Sequence, residues 1–334
     1  MAASKCTLSP VACQYAETLA HPDSGPLMGI PNGDTIYSKK LRVWCRGTEV
    51  TGAAPNTNVT LLCQPFAALA NNINAVVATS GGTAFPGNLS SGKATNSPYT
   101  AADFDSTKVQ GRLVSAVLRA RFVGTQLNAG GVHYGMQEPT HGGIQNKDDT
   151  FILSSTCGEQ RAITAGEPWF EVTYRPVDHH DTSWIDTITR TDASTFDCKS
   201  DGATVAYGAY PFMGIFTKAA AAAQTIQWEF WAVVEYAGPN VVGKTLTPPD
   251  LQGWASVIAA HSQFDEMHAN INSRRDSAQS SYVSNTIKSY ADYLLNAAAP
   301  YAKTFAVNAG TALLQNYLPR PRALPPARHR ALLQ

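Results

Sequence analysis

Apolar and polar residues alternate along much of the first two thirds of the chain, with the period of two that marks a half-buried strand. The run TIYSKKLRVWCR, Thr35 to Arg46, is the first such segment, Val59 to Phe66 the second and Asn74 to Thr79 the third. Residues 80–110 hold Gly, Ser, Thr, Asn and Pro with few large apolar groups, and predict a long surface loop. Arg112 to Val123, RLVSAVLRARFV, predicts a long strand, with Leu113, Ser115, Val117, Arg119 and Arg121 on one face and Val114, Ala116, Leu118, Ala120 and Phe122 on the other. Val114, Ala116, Leu118 and Phe122 are therefore expected inside a sandwich, and Arg112, Ser115, Arg119 and Arg121 outside it. Gly124 to Gly131 reads as a turn and Val132 to Met136 as a short returning strand; Thr150 to Ser154, Trp169 to Arg175 and Thr225 to Tyr236 continue the series. About eight short strands separated by long loops predict an all-β sandwich or barrel.

The two ends break this pattern. Residues 1–34 contain Pro10, Pro22, Pro26 and Pro31 without a stable period and predict an irregular segment. After Thr247 the chain turns helical. Asp250 is placed to cap a helix over LQGWASVIAAHSQF, and Ser281 to Ala299 carries Val283, Ile287, Tyr290 and Leu294 on one apolar stripe. Ala302 to Leu318 repeats the stripe with Phe305, Ala309, Ala312 and Leu313. From Pro300 onward Lys303, Arg320, Arg322, Arg328 and Arg330 meet no acidic residue, and the prolines of PRPRALPPARHRALLQ forbid a continuous helix. The expected organisation is an irregular segment 1–34, a β body 35–247 with surface loops, a helical region 248–318 and a basic tail 319–334.

Composition narrows the function classes. Lys and Arg number 25, as do Asp and Glu, so the whole chain offers no field for polyanions and the basic tail is a local asymmetry. Charged residues make up only 15%, against a usual value of about 25%, which suits a β-rich body whose surface is neutral, or one whose outside is partly buried by neighbouring subunits. No apolar run reaches the roughly 18 residues of a membrane-spanning helix, and the first twenty residues do not read as a secretory signal. Cys6, Cys13, Cys45, Cys63, Cys157 and Cys198 show no C-x-x-C spacing and read as small buried hydrophobes. Asp178, His179, His180 and Asp181 cluster in sequence, but neighbours on a strand point to opposite faces, and a polar loop is the better reading. No G-x-S-x-G, H-E-x-x-H, P-loop or G-x-G-x-x-G motif occurs, which removes the main support for an ordinary enzyme.

Three pieces, taken in order, resemble the capsid proteins of nodaviruses, small icosahedral viruses whose shell protein is an eight-stranded jelly roll. In residues 13–33, Cys13, Pro22-Asp23 and Gly29-Ile30-Pro31 match a Cys, a Pro-Asp and a Gly-Ile-Pro that leads into the first strand. WEFWAVVEYAGPN, residues 228–240, looks like the last barrel strand. A Pro-Pro-Asp element and a helical C-terminal peptide then follow in the same order. The chain departs from the family in having no Arg-rich arm before Lys39 and no obvious long protruding domain.

The resemblance implies an eight-stranded antiparallel jelly-roll sandwich with a helical C-terminal extension. It implies a T=3 virion shell that assembles from copies of itself inside the host cell and packages the genome. Arg320, Arg322, Arg328 and Arg330 would bind that genome by counterion release, a mode that does not distinguish RNA from single-stranded DNA. Host receptor and host membrane are the implied partners during entry. Many family members also cleave themselves: an Asn side chain attacks its own carbonyl, assisted by a neutral buried acid, and a membrane-active helical peptide is released. Asp23 matches the acid, and Asn296-Ala297 is the favoured scissile pair, with Asn308-Ala309 and Asn272-Ser273 as alternatives. Ca at subunit interfaces is a further implication, with Asp148-Asp149 and Asp178/Asp181 as donors. Outside the resemblance, a β-sandwich carbohydrate-binding or adhesion module explains the strands but not the basic tail, and a jelly-roll hydrolase lacks an acid pair or metal triad.

Overall fold

The alternating runs form strands that split between two sheets. The computed structural model describes residues 9–52, 58–104, 108–138, 143–155, 157–176, 180–189, 197–199, 211–220 and 223–261. Its strands are β1 (Ile36–Val50), β2 (Asn58–Cys63), β3 (Asn74–Ser80), β4 (Lys93–Ala94), β5 (Gln110–Phe122), β6 (Gly131–Gln137), β7 (Glu159–Ala162), β8 (Phe170–Thr173), β9 (Thr187–Thr189), β10 (Asp197–Lys199), β11 (Met213–Ala219), β12 (Thr225–Ala237) and β13 (Thr245–Thr247). Helices α1 (Pro10–Ala20), α2 (Asp149–Ser154) and α3 (Leu251–His261) complete the elements used below.

One sheet runs β13-β1-β12-β5-β8 and the other β4-β3-β2-β11-β6-β7, and the named strands pair antiparallel throughout. Setting aside the edge additions β13, β3 and β4 and the separate two-stranded sheet β10-β9, the chain crosses from one sheet to the other at every step except β6 to β7, which is the jelly-roll order. Between the sheets lie Val43, Cys45, Leu61, Cys63, Leu118, Phe122, Ile215, Trp228, Phe230 and Val234, all buried. Each large side chain so enclosed contributes about 1.5–3 kcal/mol. Tyr236 closes one end: its ring meets Tyr99 edge-on, and its hydroxyl donates to the Leu69 carbonyl at 2.9 Å and meets Ser97 Oγ at 2.8 Å. Near the other end, buried His133 reaches Thr217 Oγ1 and Glu167 Oε1, each at 2.8 Å, and stacks on Phe170. Burial works to raise Glu167, but His133 and the backbone N–H groups of Phe122 and Thr164 outweigh it and hold the carboxyl below its ordinary value.

The long strand β5 departs from strict alternation. On the β12 partner, Val233 faces Ser115 and Val234 faces Leu113, which leaves Val114 as the extra residue of a β-bulge. Leu113 therefore enters the sandwich with Ala116, Leu118, Ala120 and Phe122. Val114, expected inside, turns to the outer face and packs with Val233, Tyr15, Leu19, Ile30 and Val257 beneath α1 and α3. A one-residue insertion inverts the facing of everything on one side of it.

Several further expectations are corrected. The segment 1–34 is not irregular throughout: α1 starts at Pro10, whose missing N–H costs nothing in a first turn, and Ser9 caps it by accepting from Ala12 N at 3.0 Å. Thr150 to Ser154 is part of α2 and not a strand, because Asp148 accepts from Phe151 N and starts a helical turn. Residues 80–110 do not form a free surface loop; Phe85 and Leu89 join Leu62, Met136, Ile152, Phe212 and Phe216 in a second core on the outer face of the second sheet. That cover buries both faces of β2 and much of β11, and it explains why MGIFTKA shows no alternation to read. Asp250 caps α3 as expected, accepting from Gly253 N at 2.9 Å. Cys45 and Cys63 are core thiols, with burial pushing both up, and Cys13 and Cys157 are half-buried. The helices expected over 281–299 and 302–318, together with Asn272, Asn296, Asn308, Arg320, Arg322, Arg328 and Arg330, lie outside the described residues, as do Cys6, Asp178 and His179.

Candidate functional site

The N-terminal segment lies across the outer face of the five-stranded sheet, and three arginines of that sheet grip it. Arg42 of β1 donates to the Pro22 carbonyl at 2.8 Å and to the Gly25 carbonyl. Arg112 of β5 donates to the Ile30 carbonyl at 2.9 Å. Arg119, further along β5, donates to Asp23 Oδ2 at 2.8 Å. Strand geometry supplies two of these grips ready-made, because Arg112 lies opposite Glu235 and Arg119 opposite Glu229 in the β5–β12 ladder.

The Arg112–Glu235 pair is buried, with side chains 3% and 1% exposed and both Nε and Nη2 within 2.8 Å of Glu235 Oε2. Ser38 donates to the same carboxylate, and Lys40 stands 3.6 Å from it. Burial works to raise Glu235, but Arg112, Ser38 and Lys40 together outweigh it and hold the carboxyl below its ordinary value. Trp184 stacks on the Arg112 guanidinium. Gly29 is required here: a Cβ at that position would stand 2.5 Å from Glu235 Oε1. The Tyr15 hydroxyl, close to both partners, is buried with no hydrogen-bond partner among the described residues, and burial pushes it up.

The Arg119 cluster is more exposed and more acidic. Arg119 Nη2 reaches Glu229 Oε2 at 2.7 Å, and Nη1 stands 3.6 Å from Glu171 Oε1. Arg119 and Arg121 stack on Trp169, with guanidinium carbons 4.7 and 4.3 Å from the ring centre. Burial raises the Glu171 carboxyl, and the neighbouring Asp23 adds to that while Arg119 opposes it. Asp23 therefore sits in a charged cluster with its side chain 25% exposed, and not in the apolar pocket that an uncharged acid would need.

The start of α1 and the start of α3 share one joint. Ser9 Oγ donates to Asp250 Oδ2 while each residue caps its own helix. The described chain thus enters and leaves the β body on the same outer face. Of the other acids singled out in the sequence, Asp148 caps α2, Asp149 pairs with Lys218 at 3.0 Å and Asp181 is buried. Among the described residues no group of His, Cys, Asp and Glu is arranged to hold a metal ion. Arg42, Arg112, Arg119, Glu229 and Glu235 were not singled out as site residues. The signal for them is cross-strand charge pairing, which requires the register and hence the bulge.

The sequence matches no protein-family model and no curated protein. Solved structures do match. The T13 particle of infectious bursal disease virus (IBDV) superposes with a TM-score of 0.54 at 8% identity, covering 87% of this chain and 98% of that one. The fold is that of a viral jelly-roll shell protein. A structure of the Gt strain of infectious bursal disease virus also resembles it, with a TM-score of 0.48, 9% identity and coverage of 78% of this chain and 98% of that one. So does the decameric BFDV capsid protein, with a TM-score of 0.32, 11% identity and coverage of 60% of this chain and 99% of that one. In this shell fold the three arginines hold the N-terminal segment against the sheet that carries the first and last long strands.

Proposed function

We propose that the protein is the coat subunit of an icosahedral virus, which assembles with copies of itself into a shell around the genome. The observation that carries this reading is the jelly-roll order of the strands in the two sheets, matched over 87% of the chain by a viral particle. The low charge fraction fits a subunit whose flanks are covered by neighbours. The shared joint at Ser9 and Asp250 places the start of α3 on the same face that the N-terminal segment occupies. In this reading that face looks inward, and Arg320, Arg322, Arg328 and Arg330 engage nucleic acid as a polycation. The nodavirus-like affiliation and a T=3 arrangement belong to the same proposal, as do Ca at subunit interfaces, receptor binding and membrane contact during entry.

Electron microscopy and sedimentation of the purified full chain test the reading. Closed particles of uniform size are expected. A stable small oligomer that binds an immobilised glycan would instead establish the carbohydrate-binding or adhesion module. Deleting residues 319–334 should leave the β body folded and reduce packaged nucleic acid together with its salt dependence. Unchanged packaging would remove the tail arginines from the proposal.

A further inference from the structure

Asn32-Gly33 is the one Asn-Gly pair in the sequence, and the fold places it at the joint between the N-terminal segment and α3. The Gly33 N–H donates to Asn32 Oδ1 at 2.8 Å, so the carboxamide is folded back over the nitrogen of the next residue. The Asn32 main-chain carbonyl accepts from Asp250 N at 2.7 Å, at the start of α3. Gly33 lies against that helix: a Cβ there would stand 3.2 Å from Leu251 Cδ2 and 3.8 Å from Trp254 Cδ1. Asn32 and Gly33 are each partly exposed, which leaves the pair open to water.

We propose that Asn32 is a self-modification site, at which the Gly33 nitrogen attacks the Asn32 carboxamide and converts Asn32 to aspartate and isoaspartate. The only co-reactants are water and hydroxide. Hydroxide takes the Gly33 N–H proton, and the nitrogen forms a bond to Asn32 Cγ. The bond from Cγ to Nδ2 breaks, and Nδ2 leaves as ammonia with protons returned by water. The resulting five-membered succinimide then takes up water at either carbonyl. Opening on one side gives aspartate; opening on the other sends the main chain through the former side chain, as isoaspartate. No electrons are transferred and the chain is not cut, so the step is distinct from a cleavage at Asn296.

The joint favours this step in three ways. The 2.8 Å contact keeps nucleophile and electrophile together, which a free chain achieves only at an entropic cost. Loss of the proton spreads negative charge onto the Asn32 carbonyl oxygen by amide resonance, where the Asp250 N–H and the positive end of α3 stabilise it. Gly33 has no Cβ to shield its nitrogen. The consequence is a loosened joint. Isoaspartate lengthens the main chain by a methylene between the Asp250 contact and β1, so Gly33 loses its place against Leu251 and Trp254. The N-terminal segment and α3 then no longer share one register. None of this depends on the coat-subunit reading.

The test incubates the purified full chain at mildly alkaline pH, native and unfolded in guanidinium, and maps its peptides by mass spectrometry over time. Labelling with isoaspartyl methyltransferase reports the lengthened product. Conversion at Asn32 is expected to be at least as fast in the native chain as in the unfolded one. Gly33→Ala should slow it about tenfold or more, and Asn32→Gln, with a longer arm to the carboxamide, should give no product on the same timescale. Protease cleavage within residues 21–34 should be about tenfold faster in the isoaspartate-containing fraction than in fresh protein. Fresh Asn32→Asp, which carries the charge without the added methylene, should be cleaved like fresh wild type. Slower conversion in the native chain than in the unfolded one would overturn the proposal, because the fold would then protect the pair. Fresh and aged protein cleaved alike, or Asn32→Asp cleaved like aged protein, would overturn the loosening by chain lengthening.

Discussion

Arg112 and Arg119 lie on the same face of β5 although an odd number of positions separates them. In an uninterrupted strand they would point to opposite faces. The bulge at Val114 supplies the extra residue, so that Glu235 and Glu229, which share a face of β12 by ordinary alternation, each meet an arginine. The irregularity in one ladder thereby aligns both grips on the N-terminal segment.

The bulge makes opposite demands on two neighbours, and they can be told apart. Leu113 is buried in the sandwich, so Leu113→Ala should cost about 2–5 kcal/mol in chemical denaturation. A cost within about 0.5 kcal/mol, the range of exposed substitutions, would show that Leu113 does not fill the sandwich and would remove the placement that the bulge gives it.

Much of the sandwich was legible because its inner face is apolar and its outer face polar. The strands at β1, β3, β5, β6, β8 and β12 all announced themselves in that way. What was missed has physical reasons. β11 is covered on both sides, so Met213 to Ala219 carries no alternation. Pro10 reads as a breaker until Ser9 is seen to cap the turn that it begins. TFILS suits a strand or a helix equally in isolation, and the Asp148 cap decides it. For the site, Asp23 was singled out by resemblance, whereas its partner Arg119 emerges only when residues nearly a hundred positions apart are brought together.

Glu235 should dominate the acid response of the N-terminal grip. Its carboxyl is held below the ordinary value of 4.5, so its contribution to stability is complete above that value and is lost as pH falls through the lower, folded-state value. Wild type should therefore lose stability on acidification below about pH 4.5. Glu235→Ala, which leaves Arg112 buried without its carboxylate, should cost about 3–5 kcal/mol at neutral pH. The difference between the two proteins should shrink as pH is lowered. Denaturant titrations over a pH series check this, and a difference independent of pH would rule out the ion pair as its source.

Glu171 should behave with the opposite sign. Burial and the adjacent Asp23 raise its carboxyl, so the charged form is the one that the fold disfavours. Glu171→Gln should raise the melting temperature at neutral pH. The gain should vanish as pH falls through the raised value and the wild-type side chain takes up its proton. Loss of stability on substitution at neutral pH would mean that the Arg119 contact at 3.6 Å outweighs burial.

Asp23 has two roles to separate, and the ion pair with Arg119 provides the means. As a tether, Asp23 fixes the segment between α1 and β1; the pair is partly exposed, so Asp23→Asn should lower global stability by less than about 1 kcal/mol. It should, however, speed protease cleavage near residues 21–31. As the acid of a self-cleavage step, Asp23 must carry a proton, whereas the contact with Arg119 is made by a carboxylate. Arg119→Met removes that competitor. Under the cleavage reading, intact-mass analysis of particles should show the 38-residue fragment that begins after Asn296. The fragment should appear faster in Arg119→Met and be absent in Asp23→Asn. Under the tether reading alone, all three proteins keep the full-length mass, and Arg119→Met resembles Asp23→Asn in its protease sensitivity. The 2.8 Å ion pair favours the tether, so the expected result is an unchanged mass with a loosened segment. A fragment that depends on Asp23 would instead assign the carboxylate to chemistry, and would require the pair with Arg119 to open before the step.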